Sequence, residues 1–207
     1  MNDLAYGLQV NPFEGKSHDI VCRIVEFPGW NDNIQLANVW PPVRPPEPVQ
    51  FDTNFELLEL EVPDYPNNTA RWPIMSRRML DVLLSVREFP YHEIPVILVQ
   101  DTAPVDVRYD VFGRPRPEYS KTDYVAVQLA QYTDAIDMEK SSFRTISFLP
   151  SHIARFEKLV LSVPPEGLPP LFHMEAYAVQ LFVSAEARDA LERAGIRGPV
   201  YVPLRQI

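Results

Sequence analysis

Proline is the feature that most restricts what this chain can fold into. The sequence contains 22 prolines among 207 residues, about twice the usual share of roughly 5%. Because proline fixes φ and lacks a backbone N–H donor, long helices are excluded from most of the chain. The densest cluster, WPPVRPPEP at Trp40–Pro48, predicts an extended polyproline-like connector between an N-terminal subregion, residues 1–48, and the rest. Presentation of this cluster to a proline-recognising partner is the alternative.

Short runs of β-branched and aromatic residues lie between these breakers and predict strands. The predicted strands are Leu4–Val10, Asp19–Phe27, Phe55–Val62, Pro95–Gln100, Tyr124–Ala130, Phe143–Phe148, Lys158–Val163 and Val200–Leu204. After Tyr124–Ala130 the chain is expected to bend into an acid-rich turn.

Two segments have the pattern of short amphipathic helices. Ser76 and Ser184 precede them and are predicted to be their N-caps. The apolar faces are Met79, Leu83 and Val86 in the first helix and Ala187, Leu191 and Ala194 in the second, which Gly195 is placed to end. Together the elements predict a single α+β domain, residues 1–207, with a mostly antiparallel β-sheet, whole or split, and two principal helices.

Composition bounds the compartment and the ligand classes. The N-terminus lacks the basic and apolar regions of a secretory signal, and no apolar run approaches the ~20 residues that cross a bilayer. The single cysteine, Cys22, permits no intramolecular disulfide. We therefore expect a cytoplasmic protein without a membrane partner. The net charge of −9 argues against direct binding of nucleic acid, which needs a clustered basic surface.

The negative charge is unevenly distributed. Residues 41–70 hold six acids and one base, so −5 of the −9 lies in this segment. Solubility is the ordinary role of such charge, and attraction of a basic partner is the alternative. In Phe55–Val62, Glu59 and Glu61 would project from one face of the strand. That acidic face would either discourage edge-to-edge aggregation or dock on a basic protein.

No residue pattern indicates a metal, a cofactor or a catalytic centre. The four histidines are scattered, none has a metal-ligand spacing, and the HExxH, CxxC, GxGxxG and Walker motifs are missing. We therefore predict no catalytic residue, no metal ligand and no cofactor. His173, in LFHMEAY, is either a catalytic base or a satisfied or surface histidine.

Carboxylates are the most abundant chemically active groups. On a continuing strand, Asp137 and Glu139 in TDAIDMEKS would share a face. Paired acids can cleave glycosides or bind a hard cation. They can also cap turns and hold arginines, which is the commonest role in an acidic protein. The acids of DTAPVDVRYD are typical of a loop, and their spacing does not match an EF-hand.

Three ordered blocks resemble one known family. They are RWPIMSRRMLDVLL (Arg71–Leu84), YVAVQLAQYTDAIDMEKSSF (Tyr124–Phe143) and LFHMEAYAVQLFVSAEARDALERAGIRGPVYVPL (Leu171–Leu204). In order and spacing they are similar to the myxobacterial-type immunity protein domain of bacterial polymorphic toxin systems, formerly a domain of unknown function. The chain has Gln128 where the family pattern has asparagine, and residues 1–70 match it only loosely.

The resemblance implies a non-enzymatic inhibitor that binds a cognate toxin, in systems that include type VI secretion. An acidic protein would suit a nuclease toxin with a basic groove. The candidate toxin-binding residues are Glu56, Glu59, Glu61, Asp64, Asp101, Asp106, Asp110, Asp134, Asp137 and Glu139. Two alternatives stay open: an effector-binding adaptor or chaperone, and a hydrolase that uses Asp137 with Glu139 or a carboxylate with His173.

Overall fold

A computed structural model describes residues 5–10, 22–25, 45, 47–54, 62–147, 149–177 and 180–204. These residues form β1 (Ala5–Val10), β2 (Cys22–Ile24), β3 (Val49–Thr53), β4 (Ile74–Ser76), β5 (Tyr91–Gln100), β6 (Ser120–Leu129), β7 (Ser142–Ile146), β8 (Leu149–Lys158), β9 (Leu171–His173), β10 (Leu181–Ser184) and β11 (Pro199–Pro203). The helices are α1 (Arg77–Val86), the one-turn α2 (Val105–Arg108) and α3 (Ala185–Arg193). The predicted α+β class with two principal helices is confirmed.

The described strands lie in three sheets. Of the two predicted arrangements, a whole or a split sheet, the structure has the split one. The five-stranded sheet has the order β2-β3-β5-β6-β4, in which β3 and β5 pair in parallel and the other neighbours are antiparallel. The four-stranded sheet, β11-β1-β10-β9, is antiparallel throughout. β7 and β8 form a separate antiparallel ribbon.

The two principal helices connect their strands in the same way. α1 leads from β4 to β5, and β6 lies between these two parallel strands and antiparallel to both. α3 leads from β10 to β11, and β1 occupies the corresponding middle position. Each unit is therefore a β-α-β crossover with an antiparallel strand inserted. In the second unit that strand comes from the other end of the chain.

Both predicted N-caps are confirmed. The Ser76 hydroxyl accepts a hydrogen bond from the Met79 N–H at 3.1 Å, and Ser184 accepts from the Ala187 N–H at 3.2 Å. α1 buries Met79, Leu80 and Leu83, whereas the predicted Val86 is half-buried; α3 buries Ala187 and Leu191, whereas Ala194 is exposed. Gly195 follows α3 with a φ of 64°, which is the expected helix-ending conformation.

Both faces of the five-stranded sheet are covered, so successive side chains of its strand β6 point alternately into two different cores. Val125, Val127 and Leu129 pack with the buried faces of α1 and α3. Tyr124 and Ala126 point to the other side, where the second core includes Phe51, Trp72 and Leu98. A third core, around Phe172 and Phe182, lies between the four-stranded sheet and the β7–β8 ribbon.

One predicted strand is wrong. A strand was expected at Lys158–Val163, but the observed strand, β8, spans Leu149–Lys158 and ends where the expected one would begin. The following residues bind the turn before β7, where the Ser141 hydroxyl accepts from the Val160 N–H at 2.9 Å. β3, β4, β8, β9 and β10 were not predicted from the pattern. Most of Trp40–Pro48 and nearly all of Phe55–Val62 lie outside the described residues, so that connector and strand stay predictions.

Candidate protein-binding site

The connection between β5 and β6 carries the most exposed large apolar side chains in the described part of the chain. Val111 is 91% exposed, Phe112 77% and Val105 63%. Val111 and Phe112 lie in a turn that is closed by a β-bridge between Tyr109 and Pro115. We call residues Tyr109–Pro115 the tip loop.

Asp110 organises the tip loop. One carboxylate oxygen accepts hydrogen bonds from the backbone N–H of Phe112 at 2.8 Å and of Arg114 at 2.9 Å. The other oxygen accepts from the Arg114 side chain at 3.0 Å. These hydrogen bonds hold the pKa of the Asp110 carboxyl below its ordinary value, and the bond from the Arg114 backbone N–H has the largest effect. The carboxylate therefore serves the turn itself, with Gly113 supplying the positive φ of 74° that closes it.

The base of the tip loop is tied to the five-stranded sheet. The Gln50 side chain, on β3, donates to the Tyr109 hydroxyl at 2.6 Å. The Arg116 N–H and side chain donate to the carbonyls of Arg108 and Tyr109, at 2.9 and 3.1 Å. Arg108 in turn donates to the carbonyl of Gln100, the last residue of β5, at 3.3 Å. The tip is thus held in a defined direction relative to the sheet.

The chemistry of the tip is aromatic and close to neutral. The Arg114 guanidinium lies over the Phe112 ring, 5.1 Å from its centroid, and its charge is paired with Asp110. Residues 101–121 hold four acids and four bases, so the segment carries no net charge within a chain of −9. Aromatic and arginine side chains are the types that anchor protein–protein interfaces.

Val111 and Phe112 were not among the residues predicted from the sequence. The signal that could have found them is DVFG, two consecutive apolar residues between an aspartate and a glycine that favour a turn. The prediction instead selected acidic residues as the contact residues. One of them, Asp110, holds the turn that exposes Val111 and Phe112.

The other predicted acids are dispersed. Glu56, Glu59 and Glu61 lie outside the described residues, and Asp101 is half-buried after β5. Asp106 is exposed on α2, and Asp134 and Glu139 are exposed beyond β6.

Asp64 is buried rather than exposed, unlike an acid that meets a partner at the surface, and its toxin-binding role stays a prediction. It is 8% exposed. One carboxylate oxygen accepts from the Ser76 hydroxyl at 2.6 Å, and the other accepts from the Arg197 N–H at 3.0 Å. Its carboxylate therefore links the start of α1 to the segment that follows α3.

Asp137 lies before a turn and not on a strand, so the geometry that would place it beside Glu139 on one face is not formed. Its two carboxylate oxygens accept from the backbone N–H and the side chain of Lys140, at 3.0 and 2.7 Å. The Lys140 side chain is the main cause that lowers the pKa of Asp137. The turn-capping interpretation of this acid is confirmed.

Two clefts flank the segment Tyr132–Asp134. The larger, about 430 Å³, is lined by residues that include Glu88, Asp134, Glu166 and Arg87. The Arg87 guanidinium donates to the backbone carbonyls of Glu166 and Gly167. The smaller cleft, about 260 Å³, lies toward Met138 and Met174.

The residues of the hydrolase alternative do not meet in these clefts. Asp137, Glu139 and His173 line neither of them. Among the residues that the structure describes, no group of three or more His, Cys, Asp or Glu side chains is arranged to hold a metal ion.

His173 is a buried member of β9. The residue is 4% exposed, and its Nδ1 lies 2.9 Å from the Gln180 carbonyl oxygen. Burial lowers the pKa of His173 below its usual value of 6.5. Burial therefore favours the neutral imidazole in the folded protein.

This burial predicts a pH effect on stability. Below pH 6.5 the unfolded chain binds a proton at His173 more readily than the folded chain does, so the free energy of unfolding falls as the pH drops toward the folded-state pKa. Above pH 6.5 both states are neutral and the contribution vanishes. Urea unfolding of the wild type and of His173→Gln at several values between pH 8 and 5 measures the difference. Parallel pH dependences in the two proteins would contradict it.

No described helix is both long enough and apolar enough to cross a membrane. A scan against protein-family models and a search of curated proteins found no match to the chain. Membership of the immunity-protein family therefore stays a prediction from the three sequence blocks quoted above.

Proposed function

We propose that this chain is an immunity protein, which binds a cognate bacterial toxin and neutralises it by stoichiometric protein–protein contact. The observation that carries the proposal is the tip loop, which holds Val111 and Phe112 at 91% and 77% exposure. Isolated exposed apolar residues are common on protein surfaces. Here, however, the hydrogen bonds of Asp110 fix the turn that presents two adjacent ones.

A prearranged loop favours binding to another protein. Association loses less conformational entropy when the contacting backbone is already fixed, so more of the contact energy appears as affinity. An exposed phenylalanine also loses unfavourable hydration when a partner covers it. Both effects act without any chemical step on the partner.

The charge distribution and the resemblance support the same role. The surplus of acids in residues 41–70 would attract a basic protein, such as a nuclease, and would mainly raise the association rate. The proposal places the chain in the cytoplasm, where it would meet its toxin before the toxin reaches its target.

Growth of a bacterial host provides the test. The product of the gene directly upstream, which the proposal expects to be the toxin, is expressed alone and with the chain; it should kill the host alone, and the host should survive when both are present. Purified chain should then abolish toxin activity at a 1:1 molar ratio. Binding that leaves the toxin fully active would replace the proposal with the adaptor or chaperone alternative, and absence of both binding and protection would overturn it.

The same assay separates inhibition from hydrolysis. Protection by far less than one chain per toxin, lost in folded Asp137→Asn/Glu139→Gln, would indicate an enzyme. For an inhibitor, protection should instead follow the molar ratio and survive both substitutions. A catalytically inactive toxin variant is the control, because it should still bind the chain.

A further inference from the structure

From the tip loop we infer that Phe112, supported by Val111, is the anchor that enters a concave apolar pocket on the partner protein. This inference rests on the proposed function and specifies which surface contacts the toxin and what chemistry the toxin offers there. It differs from an interface that is centred on acidic side chains.

The shape of the partner site follows from the geometry of the tip. Phe112 and Val111 lie at the end of a closed turn and are mostly exposed, so a partner that covers both must surround them. A flat surface would leave much of the ring in water. The complementary site is therefore a pocket of the size of an aromatic side chain.

The polarity of the pocket follows from the charges around the tip. Arg114 already pairs with Asp110, with 3.0 Å between Nε and Oδ2. When a partner covers Phe112, the Arg114 guanidinium enters the interface together with its counter-ion Asp110. The large cost of burying an unpaired charge is therefore avoided. Since residues 101–121 carry no net charge, the tip gains little from a strongly cationic site and most from an apolar one.

Two other occupants fit the tip less well. A bilayer would receive only two apolar side chains, which is little for stable anchoring, and the chain's net charge of −9 opposes approach to anionic lipids. A second copy would have to offer an apolar pocket. Of the two clefts described above, the larger contains three carboxylate residues, Glu88, Asp134 and Glu166, and the smaller, although partly apolar, contains Asp134 and Glu175.

The test measures binding of the purified product of the gene directly upstream, which the proposed function expects to be the toxin, to the wild type and four variants. Phe112→Ala should raise Kd at least about 30-fold, which is the effect of an interface hot spot, mainly through faster dissociation. Phe112→Trp should retain binding, and Val111→Ala should weaken it less than Phe112→Ala does. Val163→Ala is the matched control, because Val163 is exposed, at 41%, on a different segment. Thermal unfolding should be the same for all four variants.

The outcomes separate the inference from the proposed function. Tight wild-type binding with an unchanged Kd for Phe112→Ala would overturn the inference and leave the proposed function standing. Failure of the wild type to bind would overturn the proposed function. Phe112-dependent binding to phosphatidylcholine/phosphatidylserine vesicles, or Phe112-dependent self-association in analytical ultracentrifugation, would overturn the inference in favour of a membrane or a second copy. A photoreactive phenylalanine at position 112 should cross-link to the toxin.

Discussion

Gly198→Ala is expected to lower the free energy of unfolding by about 2–5 kcal/mol. Gly198 has a φ of 101°, a conformation that costs a residue with a side chain about 1–2 kcal/mol. A Cβ atom there would also lie 2.6 Å from the Tyr65 carbonyl oxygen and 3.0 Å from the Pro63 Cβ. This overlap adds about 1–3 kcal/mol, because the close neighbour is backbone of a buried residue and cannot rotate away. Urea unfolding with an unchanged m-value measures the loss.

Gly113→Ala is the matched control for this substitution. Gly113 also has a positive φ, 74°, but a Cβ atom there would meet no other atom within 4 Å. Only the backbone cost of about 1–2 kcal/mol applies. Equal losses in the two variants would show that close packing at Gly198 contributes nothing.

Asp64→Ala is expected to destabilise the fold by about 1.5–4.5 kcal/mol. The carboxylate accepts a buried hydrogen bond from the Ser76 hydroxyl at 2.6 Å and a part-buried one from the Arg197 N–H at 3.0 Å. Leaving the buried hydroxyl without this acceptor costs about 1–3 kcal/mol, and losing the part-buried bond costs about 0.5–1.5 kcal/mol. The Ser76 hydroxyl also caps α1, so loss of Asp64 loosens the start of that helix. Thermal and urea unfolding give the magnitude.

Glu139→Ala is the corresponding control, since this carboxylate is exposed. Its removal should change stability by no more than about 0.5 kcal/mol. If Asp64→Ala instead kept wild-type stability and weakened only toxin binding, Asp64 would be a docking residue, and the buried role described here would be wrong.

Structural features that depend only on residues close together in the sequence could be predicted from it. The N-caps Ser76 and Ser184 each bond an N–H three residues ahead, and the apolar spacing of α1 is set by the helix period. The strand β6 and the turn after it likewise follow from local pattern. Fold class was predictable because it sums such local features over the whole chain.

The candidate site was less predictable. The sequence indicated that 101–110 is a loop, whereas the structure places the one-turn helix α2 within it. Charge density had drawn attention to the acids of this segment. Whether an apolar residue in a loop is covered depends on what packs over it. For Val111 and Phe112 no described segment does so to any large extent, and only the tertiary structure decides this.

The sequence by itself determined the α+β class and the two capped helices, because each rests on contacts within a few residues, and it left the turn-capping role of Asp137 as one of several alternatives. Only the tertiary structure decided that β1 lies between β10 and β11. It also decided that Asp64 binds Arg197, 133 residues away. Strand partners and burial depend on which distant segments meet. Several pairings satisfy the same apolar pattern, so the choice among them is made by packing of the complete core.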